Sequence, residues 1–144
     1  MPHRNISEVI KGRSFPALTS DWSVREASIL MREWRSSAVL IVKDGHLEGI
    51  LTERDIVFKA IALNLDPSST PIAVVMTRDV VSIDAERPLG HALHLMFEGG
   101  FRHVPVVNCL GVPVGIVTAQ DALAIEAVTM VEELVRREEI AAIL

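Results

Sequence analysis

The sequence predicts a mixed α+β (α/β) fold made of two tandem β-α-β-β-α repeats with a long helix at the C-terminus. Three observations carry this prediction. The chain is written twice, with "VREASILMREW" (24–34) answered by "LGHALHLMFEG" (89–99) and "AVLIV" (38–42) by "HVPVV" (103–107). Apolar residues pass from helical to strand spacing in the same order in both copies. Each copy then closes its last strand on nearly the same string, "GILTERDI" (49–56) and "GIVTAQDA" (115–122).

In the first copy a short strand is expected around "FPALT" (15–19), followed by a helix over 24–34. Val24, Ala27, Leu30, Met31 and Trp34 recur at helical spacing there, and "TSDWSV" supplies Ser and Asp as caps. The β-branched run "SAVLIV" meets the turn signal "KDG" and returns as "HLEGIL", a hairpin that enters a second helix at Thr52. The second copy repeats this as "VVSI" (80–83), a helix over 88–98, strands over 103–108 and 112–117, and a helix from 119. Its turn, "NCLG", is longer by one residue. Met31 and Met96 read as core positions on their helical stripes. The polar, Pro- and Ser-rich "NLDPSSTP" (64–71) reads as a linker, which divides the chain into repeats over 9–63 and 72–125 and a helical extension over 126–144.

Composition narrows the function classes. The 144 residues are 49% hydrophobic and 23% charged, enough for a real core in one body of ordinary domain size. A formal net charge of −5 opposes general nucleic-acid binding, and 4 Phe, 2 Trp and no Tyr leave little for stacking on bases. No apolar run approaches the roughly 18–20 residues of a membrane span. The start "MPHRNISEVIKG" lacks the apolar middle of a secretion signal, and a single cysteine, Cys109, fits a reducing compartment, so a cytoplasmic location is expected. Cys109 lies in an apolar stretch and reads as a buried, inert thiol. No nucleophile–base constellation, metal-ligand cluster or P-loop is legible, and His91 and His94 read as a solvated or half-buried pair, so the chain is not expected to be an enzyme.

The doubled junction carries the functional reading. Thr52 and Asp55 alone make a capping box, in which the hydroxyl caps the helix and the carboxylate reaches back to the cap's N–H. Capping does not account for Gly49 and Gly115, which stand three residues ahead near the end of a strand. Glycine in a strand marks a place where a ligand or another backbone comes close. First-turn N–H groups and the hydroxyls of Thr52 and Thr118 can donate to phosphate. Asp55 and Asp121 can accept two hydrogen bonds from a vicinal diol, as acidic residues do for ribose in dinucleotide folds. The ligand expected from the residues is a nucleoside with a short phosphate chain, its base against the apolar strands.

The repeat, its two junctions, "FRHVPVV" on the second copy and "VVMTRDVVSI" (74–83) at its opening together resemble a pair of cystathionine β-synthase (CBS) domains over roughly residues 9–125. The resemblance implies a tandem pair packed about a pseudo-two-fold axis, often called a Bateman module, whose clefts take adenosine ligands such as AMP, ADP, ATP, NAD or S-adenosylmethionine. It implies a regulatory role toward a client protein that the sequence does not name, with no obligate cofactor and frequent self-association. By position, Thr52 and Thr118 would meet phosphate, and Asp55 and Asp121 the ribose. Arg78, Asp79 and Val80 would border the second cleft together with His103, Val104 and Pro105. The first copy has "SSAVL" where the second has "FRHVP", so it lacks the basic pair and the proline. The alternative is a nucleotide-free interaction or dimerisation module in which both Thr/Asp pairs are only caps.

The C-terminal helix has no Gly or Pro from Ala119 to Leu144, so it can run ~26 residues, about 39 Å. Ile125, Val128, Val131, Leu134 and Val135 form an apolar stripe, with Glu132–Arg136 and Glu133–Arg137 as favourable i,i+4 pairs. This predicts a homodimer, the alternative being a helix that folds back onto its own chain.

Overall fold

The computed structural model describes residues 4–143. Met1 to His3, the start of the segment read for a secretion signal, and Leu144, the end of the long helix, lie outside the described residues. The helices are α1 (Ile6–Ile10), α2 (Val24–Trp34), α3 (Glu53–Asp55, continuing as a π-helical turn over Ile56–Ile61), α4 (Ile72–Val75), α5 (Leu89–Gly99) and α6 (Ala119–Ile143). The strands are β1 (Ala17–Leu18), β2 (Ala38–Lys43), β3 (His46–Thr52), β4 (Ile83–Asp84), β5 (His103–Val107) and β6 (Pro113–Thr118). They form two three-stranded sheets, β1-β2-β3 and β4-β5-β6, each with one parallel and one antiparallel pairing.

Local chemistry fixes the boundaries. Ser23 and Glu26 make a reciprocal capping box at the start of α2, at 3.1 and 2.9 Å, a device worth about 1 kcal/mol. The preceding N–H groups of Val24 and Arg25 donate to the carbonyls of Thr70 and Pro67. The segment read as a linker is therefore docked on α2, with Thr70 buried. The β2–β3 hairpin turns on Asp44 and Gly45, with φ of 52° and 78°, the pair of left-handed residues that matches strand twist in a two-residue loop. In the β5–β6 turn the Asn108 side chain accepts from the N–H groups of Leu110 and Val112. That turn puts Cys109 at its tip, so the thiol is exposed, not buried as its apolar neighbours suggested.

Alternation along the strands sorts side chains between two layers. Val39, Ile41 and Leu51 face α2 in one core; Ala38, Leu40 and Ile50 turn the other way, into a central cluster with Phe15, Leu47, Val80 and Ile116. Ile50 and Ile116 hold the same place in the two copies, as do Phe15 and Val80, so equivalent residues meet where the sheets face each other. The short opening helices are exchanged. Ile6 and Ile10 of α1 fill the second copy's core with Met96 and Val106, whereas Ile72 and Val75 of α4 fill the first copy's core with Met31 and Ile41. Burying each isoleucine contributes up to about 1.5–3 kcal/mol. Residues 9–10, assigned to the first repeat by sequence, thus pack with the second.

The second helix of the first copy is not the plain α-helix expected. Three α residues give way to the π turn, and Lys59 on that turn reaches the Val75 carbonyl of α4 at 3.3 Å. In contrast, α6 runs unbroken for 25 residues and is one element with no joint at residue 126. Ile125 packs into the second core, while every described side chain from Met130 onward is exposed. The helix does not fold back onto its own chain.

Candidate functional site

Gly49 lies buried in β3 with the 76–77 backbone pressed against it. A Cβ there would stand 2.6 Å from the Thr77 carbonyl oxygen. Ile50 and Thr77 exchange backbone hydrogen bonds of 3.0 and 2.9 Å at the same place. Gly115 is equally closed, since a Cβ would meet Ile10 Cδ1 at 2.9 Å. Both glycines admit a neighbouring segment of the chain, one of the two reasons the sequence offered for them.

Downstream, Thr52 and Asp55 close as a reciprocal capping box, and Thr118 and Asp121 make its carboxylate half. Asp55 Oδ2 accepts from the Thr52 N–H and hydroxyl at 3.0 and 3.1 Å, and the Asp55 N–H donates back to Thr52 Oγ1 at 3.2 Å. Asp121 Oδ2 accepts from the Thr118 N–H at 2.9 Å and its hydroxyl at 3.3 Å. The other carboxylate oxygens differ. Asp55 Oδ1 takes the Thr77 hydroxyl at 3.1 Å and the Lys59 ammonium at 2.9 Å. Asp121 Oδ1 takes one partner among the described residues, the Arg13 guanidinium at 2.7 Å, from a side chain that is half exposed. At the place of Lys59 the second copy has Ile125, a partly buried residue packed against the second core.

Arg78 reaches Glu48 of β3 at 3.1 Å and the Ala73 carbonyl at 3.3 Å. Asp79 is exposed, and Val80 joins the central cluster. The 78–80 segment therefore stands beside Gly49 and Asp55 of the first copy. The Thr77–Ile50 pairing ties the start of the segment to β3, and Val80 packs in the central cluster with Ile116 of the second copy. In the second copy, Val104 and Pro105 are buried in β5, and only His103 of the three reaches an open cavity.

That cavity, of about 1000 Å³, lies where the two copies meet and is lined by Arg35, Ser37, Glu53, Arg102, His103 and Thr118 among others. Two equivalent backbone contacts frame it, Glu53 N–H to the Ser37 carbonyl and Ala119 N–H to the Arg102 carbonyl, both 3.0 Å. Ser37 Oγ and His103 Nε2 share a 2.6 Å hydrogen bond across the copies. Burial holds the His103 imidazole below its ordinary pKa, opposed by Glu53 and reinforced by Arg102. The groove thus combines an imidazole of lowered pKa, hydroxyls, arginines and the Glu53 carboxylate beside the first turn of α6.

Sequence reasoning missed Arg13, Ser37, Thr77 and Lys59, and named Arg102 only as half of a basic pair. The repeat offered one signal, since Arg13 and Arg78 hold equivalent places in the two copies. His94 pairs with Glu98 on an exposed face of α5. Among the described residues no group of three or more His, Cys, Asp or Glu is placed to hold a metal ion, and no helix is long and apolar enough to cross a membrane.

Comparison with known proteins agrees with this architecture. A CBS domain-containing protein of Arabidopsis thaliana, CBSCBSPB1, is 39% identical over 87 residues, which is 60% of this chain and 16% of that protein. The chain spans between 16% and 60% of the first curated relatives it matches. The CBS domain pair of protein MJ0100, solved in complex with 5′-methylthioadenosine and S-adenosyl-L-methionine, superposes with a TM-score of 0.80 at 29% identity, over 89% of this chain and 99% of that one. The CBS domain protein PAE2072 of Pyrobaculum aerophilum, complexed with AMP, has the same fold, with a TM-score of 0.76 at 24% identity over 88% and 99% of the two chains. The family model for the CBS domain matches twice, over residues 6–61 and 72–127, and the chain belongs to the CBS domain family as a tandem pair.

Proposed function

We propose that this CBS pair is a non-catalytic regulatory sensor for an adenosine ligand of the AMP, ADP, ATP, NAD or S-adenosylmethionine class, and that the second junction is its principal site. The ribose diol is held by Asp121, and the phosphate or equivalent polar group lies in the central groove among Thr118, Arg102, His103 and Ser37. One observation carries the choice of site. The outer oxygen of Asp121 has one partner, a half-exposed arginine that can swing away, whereas that of Asp55 is held by the Thr77 hydroxyl as well as by a comparably exposed lysine, Lys59. The adenosine-type ligands of MJ0100 and PAE2072 support the ligand class. The signal passes to a client protein through a homodimer of the pair, within the cytoplasm.

A thermal-melting panel tests this. A ligand present at about 100 times its dissociation constant stabilises the fold by about 2.7 kcal/mol, a shift of about 9 °C for a chain of this size. If AMP, ADP, ATP, NAD and S-adenosylmethionine at millimolar levels all leave the midpoint unmoved, sensing is wrong. The packing at Gly49 and Gly115 and the capping by both Thr/Asp pairs favour a second reading for that outcome, a nucleotide-free interaction module.

A further inference from the structure

We propose that Arg35 is a phosphate-binding residue of the central groove, and that it makes the pair prefer an adenosine ligand with two or three phosphates over one with a single phosphate. The preference presupposes the adenosine reading for base and ribose; the groove's affinity for a phosphate chain does not.

The backbone singles Arg35 out. It caps the C-terminus of α2 with φ 50° and ψ 42°, in the left-handed region. The same step of the second copy, the cap of α5, is Gly100, with φ 70° and ψ 27°. Glycine takes this conformation freely, whereas a residue with a Cβ is strained in it. An arginine placed where the repeat uses glycine, with its side chain lining a cavity, is strain of the kind that collects at binding sites.

Charge says what it binds. In the first copy Ser37 and Ala38 stand where the second has Arg102 and His103. Arg35, two residues earlier, brings a cation from the first copy to the same cavity. With Arg32 and Arg102, three guanidinium groups line that cavity against one carboxylate, Glu53. The ion pairs among the described residues use other cations, namely Arg13, Lys59, Arg78 and His94. In a chain of net charge −5 this is a local positive excess, and guanidinium groups suit phosphate oxygens, which they bind bidentately. Arg102 adjoins the second junction through the 3.0 Å contact of its carbonyl with the Ala119 N–H, whereas Arg35 stands on the first copy's side, beyond Ser37. A single phosphate beside Thr118 meets Arg102; a longer chain extends toward Arg35.

Titration calorimetry of the native chain, Arg35→Gly and Arg35→Lys with AMP, ADP, ATP and inorganic triphosphate tests this. The native chain should bind ADP and ATP about tenfold or more tightly than AMP, and should bind inorganic triphosphate. Arg35→Gly should lose both the gain and the triphosphate while keeping AMP affinity within about twofold, and Arg35→Lys should keep most of the gain. Melting without ligand separates binding from folding. Arg35→Gly relieves the backbone, so it should melt at the native midpoint or above it, the trade of stability against binding expected of a strained site. A native chain that binds AMP but gains nothing from further phosphates overturns the proposal and leaves the adenosine reading standing. An Arg35-dependent response to inorganic triphosphate, with none to the nucleotides, supports the phosphate site and overturns the adenosine reading. No binding of any of the four overturns both. Arg35→Gly that binds ATP like the native chain, or melts several degrees below it, makes Arg35 a structural residue and overturns the proposal.

Discussion

Asp55 and Asp121 stand at the same step of the repeat, three residues after the threonines that close β3 and β6, and each caps its helix with one carboxylate oxygen. Their second oxygens enter different surroundings. Around Asp55 the chain supplies Thr77 and Lys59, and Lys59 continues to the Val75 carbonyl, so one carboxylate joins β3, the π turn and α4. Around Asp121 the chain supplies Arg13, and the residue equivalent to Lys59 is apolar. The equivalent of Arg13 in the other copy, Arg78, goes to Glu48 instead. One motif, duplicated, has gained two further partners in the first half and one in the second.

The largest expected effect follows from that difference. Asp55→Ala removes the acceptor for Thr52, Thr77 and Lys59 together, and hydrogen bonds to a charged group are worth about 1.5–3 kcal/mol each in a partly buried setting. We expect a loss of about 3 kcal/mol in urea unfolding. Asp121→Ala, which leaves a half-exposed arginine free to meet water, should cost about 1 kcal/mol. Equal losses would erase the distinction. The glycines sharpen it further. Gly49→Ala drives a Cβ against backbone, the Thr77 carbonyl, and should cost about 2–3 kcal/mol; Gly115→Ala meets the side chain of Ile10, which can give, and should cost about 1 kcal/mol. A Gly115→Ala variant less stable than Gly49→Ala would contradict this packing.

Smaller effects concern the groove. His103 has its pKa lowered in the folded chain from the ordinary value of 6.5. Below about that pH the unfolded chain binds the proton that the folded one resists. The stability His103 contributes is therefore complete above the unfolded value and is lost as pH falls from there through the folded one. The melting midpoint should drop on acidification over this window, and His103→Asn should drop less; an identical profile in both would show that the buried ring is not the cause. Smallest of all, Arg13→Ala should leave the midpoint within about 3 °C, since exposed ion pairs contribute 0–1 kcal/mol. It should also raise adenosine-ligand affinity by about two- to fivefold by removing a competitor for Asp121.

Much of this architecture was legible because it is local. The α2 stripe, its Ser23 cap, the Asp44–Gly45 turn and the start of α6 at Ala119 all follow from neighbours within a few positions. The exchange of α1 and α4 was not, since nothing near Ile6 says that its core lies beside Met96. The same holds for the site. The Thr/Asp pairs were visible at a spacing of three, whereas Arg13 reaches Asp121 across 108 positions and Ser37 reaches His103 across 66. Cys109 was misread because its apolar neighbours suggested burial, while Asn108 turns the chain and lifts the thiol into water.

Whether the second junction reads a ribose is tested most directly by titration calorimetry of the native chain, Asp121→Ala and Asp55→Ala with AMP and 2′-deoxy-AMP. The native chain should prefer the ribonucleotide. Asp121→Ala should bind AMP tenfold or more weakly, at about 1.4 kcal/mol per decade, and should lose the preference for the 2′-hydroxyl. Asp55→Ala, held folded at low temperature, should keep most of both. If Asp121→Ala melts lower yet retains full affinity and full ribose preference, Asp121 is a helix cap and the ligand does not lie against it.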